Sequence, residues 1–460
     1  MNRIVVVGDA LLDRDVLGTV DRLCPDAPAP VFEQRELVER PGGAALAALL
    51  VARGGTGVTL LSPIGDDSAG ARLSDLLRQA GVTVAPWRDP APTIEKERVL
   101  VRERSIVRLD RGGGARVLPE PACDVVRHVL AADAVLVSDY GRGASTVAMI
   151  RHAIGTAVEH GTPVVWDPHP KGPHPVPGVS LVTPNTHELR HFDAGSRADD
   201  DMHGSEVASL VAAARRLLAQ WRPVGLCVTR GSQGAVLVTE GGLPLVVPVD
   251  DPDVDPVDTC GAGDAFAAQC AVAFASGAVM SEAVQSAVQH AAGYVASGGA
   301  VGLREVEHRR PSTARPSHAG AAAKVVATGG CFDLLHAGHV AMLQRARQLG
   351  DRLVVLLNSD ESVRRLKGPG RPIQAASDRA AVLRSLECVD DVVVFDGDTP
   401  IEALRRLRPQ VFVKGADYSS ATLPEVPVLA GWGGVVVTVP YLAGRSTTTI
   451  VEHIEASHVV

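Results

Sequence analysis

The chain is 460 residues long, with a hydrophobic fraction of 46%, a charged fraction of 21% and a formal net charge of −8. This length exceeds what one hydrophobic core usually supports, so two or three domains are expected. The negative charge argues against a nucleic-acid-binding protein, whose surface would be basic, and the composition is typical of a soluble globular protein.

The chain begins with a short apolar run, Ile4–Val7, which ends at Gly8 and Asp9. Four apolar residues predict a buried strand and are too few for a signal peptide. The longest weakly polar run, Ala265–Met280, is too short and too rich in alanine and glycine to span a bilayer. The seven cysteines are odd in number and form no CxxC pair, which argues against a disulfide framework or a zinc site. We therefore expect a cytoplasmic protein without membrane or nucleic-acid partners.

Short apolar runs alternate with helical patterns through the first half of the chain. Strands are predicted at residues 3–9, 58–67, 132–141, 163–170, 179–185 and 224–231, and helices at residues 43–53, 68–80, 121–131, 146–160 and 205–220. This order predicts a parallel sheet with helices on both faces. Ligands of such sheets bind at the carboxyl ends of the strands. The polar residues predicted there are Asp9, Asp139, Asp167, Asn185 and Arg230.

Two segments interrupt this alternation. Residues 16–37 are rich in proline, and residues 93–110 alternate charged and apolar side chains. The second pattern predicts a β-hairpin with one solvent-exposed face. Pattern alone leaves two interpretations open, an exposed hairpin without a role in binding or a lid over a sugar site.

The glycine turn in VDTCGAGDAF (residues 257–266) is the predicted chemical centre of the first half. Backbone N–H groups of Gly261, Ala262 and Gly263 would point at an anion at the start of a helix. Asp264 could take a proton from a hydroxyl that attacks a γ-phosphate, although it could also merely cap the helix. The sequence has no P-loop, and its incomplete GxGxxG makes a dinucleotide-binding dehydrogenase a weak rival.

DTCGAGDAF also resembles the DTxGAGD signature of the ribokinase-like sugar kinases. Residues 41–49 resemble the N-terminal glycine motif of that family, and residues 182–188 resemble its magnesium- and nucleotide-side strand. The resemblance implies a three-layer α/β sandwich with a β lid, with Asp264 as the base. It implies an anion hole at Gly261, Ala262 and Gly263, Mg–ATP at Asn185 and Glu188, nucleotide contacts at Thr229, Arg230 and Gly231, and sugar contacts at Asp9, Asp13, Gly42 and Gly43. Where the family usually has asparagine this chain has Leu46, which leaves the sugar open.

Residues 308–322 are rich in proline, arginine, serine and alanine and lack apolar periodicity. They predict a linker between a first domain at residues 1–307 and a smaller α/β domain at residues 323–460.

The second domain opens with GGCFDLLHAGH (residues 329–339), which predicts a strand, a glycine turn and a helix. His336 and His339 are three apart, so a helical turn places both imidazoles on one face, beside N–H groups that attract phosphate. Alone, such a pair more often caps or packs a helix start, and a metal site lacks an obvious third ligand.

The rest of the second half alternates strands and helices. Strands are predicted at residues 351–360, 390–395, 411–418 and 435–440, helices at residues 377–389 (with Ser377 as N-cap), 399–409 and 445–455, and a mobile basic loop at residues 364–372. Lys367 and Lys414 are placed in loops, where a solvated charge is the default interpretation. They are two of only five lysines in the chain, and lysine offers a compact ammonium where arginine offers a planar fork. These elements suit nucleotidyl transfer, with charge neutralised by His336, His339 and Lys367.

GCFDLLHAGH resembles the signature of the cytidylyltransferase-like nucleotidyltransferases, which implies a Rossmann-like domain. Nucleotide or phosphate contacts are then expected at Gly330, Phe332, Lys414, Ser446, Thr447 and Thr448. The order of kinase motifs, linker, GCFDLLHAGH, RLKG, KGADY and STT resembles the bifunctional heptose-7-phosphate kinase / heptose-1-phosphate adenylyltransferase family over nearly the whole chain.

This second resemblance implies two reactions that use ATP and Mg²⁺. The first domain would phosphorylate D-glycero-β-D-manno-heptose 7-phosphate at the anomeric hydroxyl, with Lys96 and Arg108 holding the existing phosphate. A separate phosphatase would remove the 7-phosphate, and the second domain would then make ADP-heptose. Two alternatives stay open: the same chemistries on another sugar phosphate or nucleotide, or one half that is degenerate and regulatory. The oligomeric state is also open, a homo-oligomer included.

Overall fold

The structure is a computed structural model, and it describes residues 2–27, 29–85, 87–101, 104–112, 117–194, 206–249, 259–300, 302, 324–415 and 423–440. The chain divides into two compact units. The first contains Met1–Phe192, Leu218–Cys227 and Val254–Pro311, and the second contains Asp193–Leu217, Val228–Asp253 and Ser312–Val460. The predicted linker at residues 308–322 lies outside the described residues, so the domain limits at 307 and 323 stay predictions.

The strands up to residue 249 are β1 (Arg3–Gly8), β2 (Ala10–Leu23), β3 (Pro30–Gly43), β4 (Gly57–Leu61), β5 (Ile64–Gly65), β6 (Thr83–Val84), β7 (Arg88–Asp89), β8 (Glu95–Val101), β9 (Arg104–Arg111), β10 (Ala134–Ser138), β11 (Val164–Asp167), β12 (Leu181–Val182), β13 (Gly225–Thr229), β14 (Ala235–Thr239) and β15 (Leu245–Val247). The helices up to residue 300 are α1 (Ala44–Arg53), α2 (Ser68–Gln79), α3 (Cys123–Leu130), α4 (Ala148–Glu159), α5 (Thr186–Asp193), α6 (Glu206–Trp221), α7 (Ala262–Ala275) and α8 (Met280–Ala296).

A parallel sheet forms the centre of the first unit. Its strands lie in the order β13, β12, β11, β10, β1, β4, β6, and each neighbouring pair is parallel. The apolar runs of β1 and β10 are buried along their whole length, as expected for strands that are covered on both faces. Helices α1 and α7 pack on this sheet and on each other. The predicted α/β architecture is therefore confirmed.

A second sheet of the first unit has the strand order β3, β2, β8, β9. Strands β8 and β9 form the antiparallel hairpin predicted at residues 93–110. The proline-rich segment 16–37, for which the sequence pattern predicts no element, belongs to the long antiparallel pair β2 and β3. Its prolines did not exclude strands because Pro25 lies in the connection between them and Pro30 is the first residue of β3, positions where no ladder N–H is needed.

The elements after residue 323 belong to the second unit. They are the strands β16 (Val325–Gly330), β17 (Arg352–Asn358), β18 (Asp391–Phe395), β19 (Val411–Gly415) and β20 (Val435–Val439), and the helices α9 (Ala337–Arg347), α10 (Asp360–Lys367), α11 (Ala376–Arg384), α12 (Ile401–Leu407) and α13 (Glu425–Ala430). The strands are parallel in the order β18, β17, β16, β19, β20. The order of the strands reverses between β16 and β19, which is where ligands bind in open α/β sheets.

Three local predictions in this unit are wrong. Residues 364–367 lie in α10 and not in a loop, because Ser359 caps that helix through the Ser362 amide and basic side chains complete its last turn. Lys414 lies within β19. Helix α11 begins at Ala376, so Ser377 is inside it and is not its N-cap. The predicted closing helix at residues 445–455 lies outside the described residues.

Across the described ranges, every helix is too short or too polar to cross a membrane.

Candidate active sites

The start of α7 has the geometry of an anion site. Gly261 precedes the helix with a φ of 83°, and a Cβ there would lie 2.6 Å from the Tyr294 hydroxyl and 2.7 Å from Leu46 Cδ2. Only glycine fits both the backbone conformation and the space. Apart from neighbouring backbone of its own helix, no described atom lies within 4 Å of the position that a Cβ at Gly263 would take, which leaves room for a ligand. The Ala262 amide donates to the Thr259 carbonyl at 3.2 Å, so this member of the predicted anion hole is used within the turn.

Asp264 lies in the first turn of α7 and is 5% exposed. Its two carboxylate oxygens lie 2.9 and 2.7 Å from the Tyr140 hydroxyl, which donates to them. Gly261 and not Asp264 occupies the N-cap position, so the alternative that Asp264 merely caps the helix is wrong. Burial raises its pKa to about 7, while the Tyr140 hydrogen bond and Lys96 act in the opposite direction. A carboxyl that titrates near neutral pH is suited to act as a general base.

Asp9 and Asp13, predicted to bind sugar hydroxyls, have different surroundings. The Asp9 carboxylate accepts backbone hydrogen bonds from Tyr140 at 3.1 Å, Arg142 at 2.9 Å and Ala144 at 2.9 Å, so it organises that loop. Asp13 is 5% exposed, burial raises its pKa, and its Oδ1 has no hydrogen-bond partner among the described residues. A sugar hydroxyl would satisfy this buried acceptor. Asp13 therefore fits the predicted sugar contact better than Asp9.

Gly42 and Gly43, the other predicted sugar contacts, provide the space around these carboxylates. A Cβ at Gly42 would lie 2.6 Å from Asp13 Oδ2, and a Cβ at Gly43 would lie 2.5 Å from the Asp9 carbonyl oxygen. Gly43 also has a φ of 58°, which side chains rarely adopt. The double glycine therefore lets the backbone approach both aspartates.

Tyr140 also lines a basic cavity of about 240 Å³. The cavity is lined by Leu11, Lys96, Arg108, Asp110, Tyr140, Gly141, Arg142, His169 and Lys171. The Lys96 ammonium lies 5.2 Å from the centre of the Tyr140 ring, and burial lowers its pKa. Arg108 is bound at 2.7 and 2.6 Å to Asp110. Four cations against one carboxylate, Asp110, leave this small cavity positively charged, which favours an anionic ligand.

The structure thus brings together Lys96 and Arg108 as predicted and adds three residues that the sequence analysis missed. Arg142, His169 and Lys171 follow β10 and β11, whose carboxyl ends meet beside the cavity. The scarcity of lysine was a usable signal for Lys171, since it is one of the five lysines in the chain.

Asn185 and Glu188, predicted to organise Mg–ATP, form a reciprocal cap at the start of α5. Asn185 Oδ1 accepts from the His187 and Glu188 amides at 2.9 Å each, and Glu188 Oε2 accepts from the Asn185 amide at 2.9 Å. Burial raises the pKa of Glu188. Burial also raises the pKa of Asp167 well above its usual value, and the charges of Glu188 and Asp264 add to this.

These mutually repelling carboxylates would be stabilised by a cation. Within the described ranges, no group of three or more His, Cys, Asp or Glu residues could hold a metal by itself. A magnesium ion needs one or two carboxylates and takes its other ligands from phosphate and water. The residues present therefore fit an ion that arrives with a triphosphate.

Thr229, Arg230 and Gly231 lie at the end of β13 and just after it. The Arg230 guanidinium donates to Gln233 at 2.6 Å and lies 3.8 Å from a Glu206 carboxylate oxygen. It is directed at protein groups, so of the three predicted nucleotide contacts Thr229 and Gly231 offer the more accessible atoms.

In the second unit, the two histidines stack at the start of α9. Their ring centroids are 3.9 Å apart at an interplanar angle of 27°, and Phe332 lies 5.3 Å from the His339 ring. His336 caps the helix, because its Nδ1 accepts from the Gly338 amide at 3.2 Å. Burial lowers the pKa of His339 to about 4, and the charges of His336 and Lys367 add to this. The predicted placement on one face is confirmed, and Lys367 is close enough to act on the pair.

The loop between β16 and α9 is held by two charged residues that the sequence analysis missed. Asp333 accepts from the amides of Ile373 at 2.8 Å and Gln374 at 3.0 Å. Arg379, 1% exposed, donates to the Cys331 carbonyl at 2.6 Å, the Asn358 carbonyl at 3.0 Å and Asp360 at 2.7 Å. These bonds support the left-handed backbone of Phe332, whose φ is 45°.

The other predicted phosphate contacts of this unit divide into three cases. Gly330 ends β16, where a Cβ would lie 3.2 Å from the Phe332 ring. The Lys414 ammonium forms a buried ion pair with Glu425 at 2.9 Å, so it is not the solvated loop charge that was expected. Ser446, Thr447 and Thr448 lie outside the described residues.

Comparison with known proteins identifies both halves. Residues 1–305 match the family described as pfkB family carbohydrate kinase, and residues 327–452 match the family described as cytidylyltransferase-like. The chain is 50% identical to the bifunctional protein HldE of Streptomyces coelicolor over 97% of this chain and 95% of that one. It is 36% identical to HldE of Hahella chejuensis over 100% of this chain and 98% of that one.

A solved structure supports the fold of the first part. Arabidopsis thaliana ribokinase, described in complex with ribose and ATP, aligns with a TM-score of 0.52 and 21% identity. The alignment covers 65% of this chain and 95% of the ribokinase. The predicted ribokinase-like fold is confirmed.

Proposed function

The chain belongs to the HldE family of bifunctional proteins, a pfkB-type carbohydrate kinase joined to a cytidylyltransferase-like domain, and we propose that it is an ADP-heptose synthase. The kinase half phosphorylates D-glycero-β-D-manno-heptose 7-phosphate at the anomeric hydroxyl. A separate phosphatase then removes the 7-phosphate. The nucleotidyltransferase half transfers adenylate from ATP to heptose 1-phosphate and releases pyrophosphate. Because both steps consume ATP, we expect them to occur in the cytoplasm.

The observation that carries this proposal is the basic cavity next to Asp264. The cavity is lined by four cations and one carboxylate, Asp110, so an unphosphorylated sugar would leave an excess of positive charge. A phosphate seated among Lys96, Arg108, Arg142 and Lys171 would instead be bound by charge-assisted hydrogen bonds. Tyr140 lines this cavity and also contacts Asp264. A sugar phosphate whose anionic end lies in the cavity can therefore extend its reacting hydroxyl toward the base.

In the kinase reaction, Asp264 takes the proton of the sugar hydroxyl as its oxygen bonds to the γ-phosphorus of ATP and ADP leaves. Asp13 accepts from a second hydroxyl and orients the ring. The amides at the start of α7 stabilise negative charge on the transferred group. Asn185 and Glu188 would hold Mg–ATP, and Mg²⁺ when bound supplies charge neutralisation on the triphosphate.

The nucleotidyl transfer requires no protein nucleophile, because a phosphate oxygen of the substrate attacks the α-phosphorus directly. His339 is neutral at physiological pH, since burial lowers its pKa to about 4, and so it acts as a hydrogen-bond donor and not as a fixed charge. Lys367 supplies the positive charge near the leaving pyrophosphate. The start of α9 and the end of β16 position both groups.

Product analysis by mass spectrometry tests the proposal. The whole protein is incubated with Mg–ATP and heptose 7-phosphate, and a second sample also contains a phosphatase specific for the 7-position. We expect a heptose bisphosphate in the first sample and ADP-heptose in the second. If ATP is consumed but neither product forms, the heptose assignment fails, and other sugar phosphates should be tried, since Leu46 packs against the Gly261 turn where the kinase family usually has asparagine.

A further inference from the structure

The phenol of Tyr140 touches two parts of the kinase site at once. Its hydroxyl lies 2.9 and 2.7 Å from the two oxygens of Asp264. Its ring forms a wall of the basic cavity, with the Lys96 ammonium 5.2 Å from the ring centre. Tyr140 is not one of the predicted site residues.

Backbone hydrogen bonds to Asp9 fix the position of Tyr140. It lies directly after Asp139 at the end of β10, and its amide donates to Asp9 Oδ2 at 3.1 Å. The same carboxylate binds the amides of Arg142 and Ala144 in the following turn, both at 2.9 Å. Asp9, at the end of β1, therefore holds the loop so that the Tyr140 side chain reaches Asp264.

We propose that Tyr140 is a positioning residue of the kinase reaction, whose hydroxyl holds the Asp264 carboxylate through one oxygen while the other oxygen accepts the sugar proton. The proposal rests on the proposed function, in which Asp264 is the base. A phenol carries a single proton and donates fully to one acceptor at a time. One carboxylate oxygen of Asp264 therefore remains to accept the sugar proton. The hydrogen bond from Tyr140 to the other oxygen fixes the orientation of the carboxylate.

The proton balance follows from this arrangement. The O–H bond of the sugar breaks, its proton moves to Asp264, the sugar oxygen bonds to the γ-phosphorus, and the bond to the β-γ bridging oxygen breaks. Tyr140 keeps its own proton throughout, because burial and the negative charge of Asp264 raise the pKa of the phenol well above its usual value.

Charged groups from several elements act on Asp264. Lys96 from β8 favours its ionised form, and Asp13 from β2 opposes it. Asp167 at the end of β11 also interacts with it, since the charge of Asp264 contributes to the raised pKa of Asp167. Among the interactions that favour ionised Asp264, the hydrogen bond from Tyr140 is the strongest. Its removal should therefore raise the pKa of Asp264.

The variant Tyr140→Phe removes only the hydroxyl and keeps the ring under Lys96. We expect kcat of the kinase reaction to fall roughly tenfold to a hundredfold, with KM for the sugar phosphate changed less than about twofold. The acidic limb of kcat/KM against pH should move up by about one unit, since a hydrogen bond to a charged group is lost. Tyr294→Phe is the matched control, because its hydroxyl donates to the Cys260 carbonyl at 3.0 Å and its loss should leave that limb in place.

Two results would overturn the proposal. An acidic limb that stays in place with kcat unchanged would show that the bond plays no part in the reaction. A raised KM with unchanged kcat would make Tyr140 a substrate contact instead.

¹³C NMR of labelled aspartate carboxyls, with the Asp264 signal assigned through Asp264→Asn, measures the pKa of Asp264 without turnover. If the wild-type protein phosphorylates no sugar phosphate, the proposed function fails, while an Asp264 pKa equal in wild type and Tyr140→Phe would separately reject this inference.

Discussion

Burial acts on Asp264 and His339 in the same way but shifts their pKa values in opposite directions. It raises the pKa of Asp264 to about 7 and lowers that of His339 to about 4. In each case burial favours the neutral form, because the charged form of either group is costly to bury. The first group can thus accept a proton near neutral pH, and the second stays uncharged there.

The pH dependence of the kinase reaction follows from the Asp264 value. The base must be ionised, so kcat/KM should be highest above about pH 7 and fall roughly tenfold per unit below it. Steady-state kinetics on both sides of pH 7 measures this fall in kcat/KM. The phosphate of the substrate also titrates, near pH 6, and its contribution is fixed separately by ³¹P NMR. If kcat/KM of the kinase reaction began to fall only near pH 4, the ordinary carboxyl range, the assignment of Asp264 as a buried base would be contradicted.

Residues within one motif could be predicted, and residues assembled from several loops could not. DTCGAGDAF and HAGH place Asp264, His336 and His339 within a few positions of a helix start, so local periodicity is enough. Tyr140 meets Asp264 across 124 positions of sequence. That contact depends on the order of the strands in the sheet, which the pattern of one sequence does not specify. Lys171 and Arg142 escaped prediction for the same reason.

At the scale of elements, the start of α7 makes a sharp prediction. Gly261→Ala would place a methyl group 2.6 Å from the Tyr294 hydroxyl and 2.7 Å from Leu46, at a backbone φ of 83°. We expect it to displace the turn and lower kinase kcat/KM at least about tenfold, while nucleotidyl transfer is unchanged. The two half-reactions are assayed separately.

Gly293→Ala provides the control for that substitution. Gly293 lies inside α8, and apart from neighbouring backbone of that helix no described atom lies within 4 Å of the added methyl group. The change should stabilise the first unit by up to about 1 kcal/mol and leave kinase activity intact. Equal kinetic effects of the two substitutions would argue against a special geometry at Gly261.

Helix α11 makes a corresponding prediction for the second unit. Arg379→Met leaves Asp360 and three backbone carbonyl groups without the donor that Arg379 provides, which should cost about 3 kcal/mol of unfolding free energy. Calorimetry should show the lower stability, with nucleotidyl transfer lost and kinase activity retained.

The control here is Arg364→Met on α10, whose exposed pair with Glu361 is 3.2 Å long. Its effect should stay within about 0.5 kcal/mol. A stability loss as large as that of Arg379→Met would mean that the buried network is not the cause.

The elements themselves were predictable where one face or both faces are buried. Continuous apolar runs identified β1, β10, β11 and β17, because strands covered on both sides must be apolar throughout. Strands β2 and β3 were missed because much of their outer length is exposed and polar, so no apolar run distinguishes them. Helix α10 was missed because its last turn is basic and adjoins glycine and proline, a composition that is also typical of loops.

For the whole molecule, the order of motifs along the chain predicted two transferase halves, and the family comparisons confirm this architecture. The residues assigned to proton transfer and to the stacked imidazoles lie in different units. A substitution at either centre should therefore leave the chemistry of the other intact. Substrate identity is the part that motif order cannot provide, because it depends on how loops from many strands shape one cavity.

The most direct test of this account measures both half-reactions in two single variants, Asp264→Asn and His339→Ala. Each variant is given heptose 7-phosphate in one assay and heptose 1-phosphate in another, with Mg–ATP in both, and products are identified by mass spectrometry. We predict that Asp264→Asn makes ADP-heptose from heptose 1-phosphate but no bisphosphate, and that His339→Ala makes the bisphosphate but no ADP-heptose. Loss of both products in either variant, with the protein still folded by calorimetry, would contradict two separate active sites.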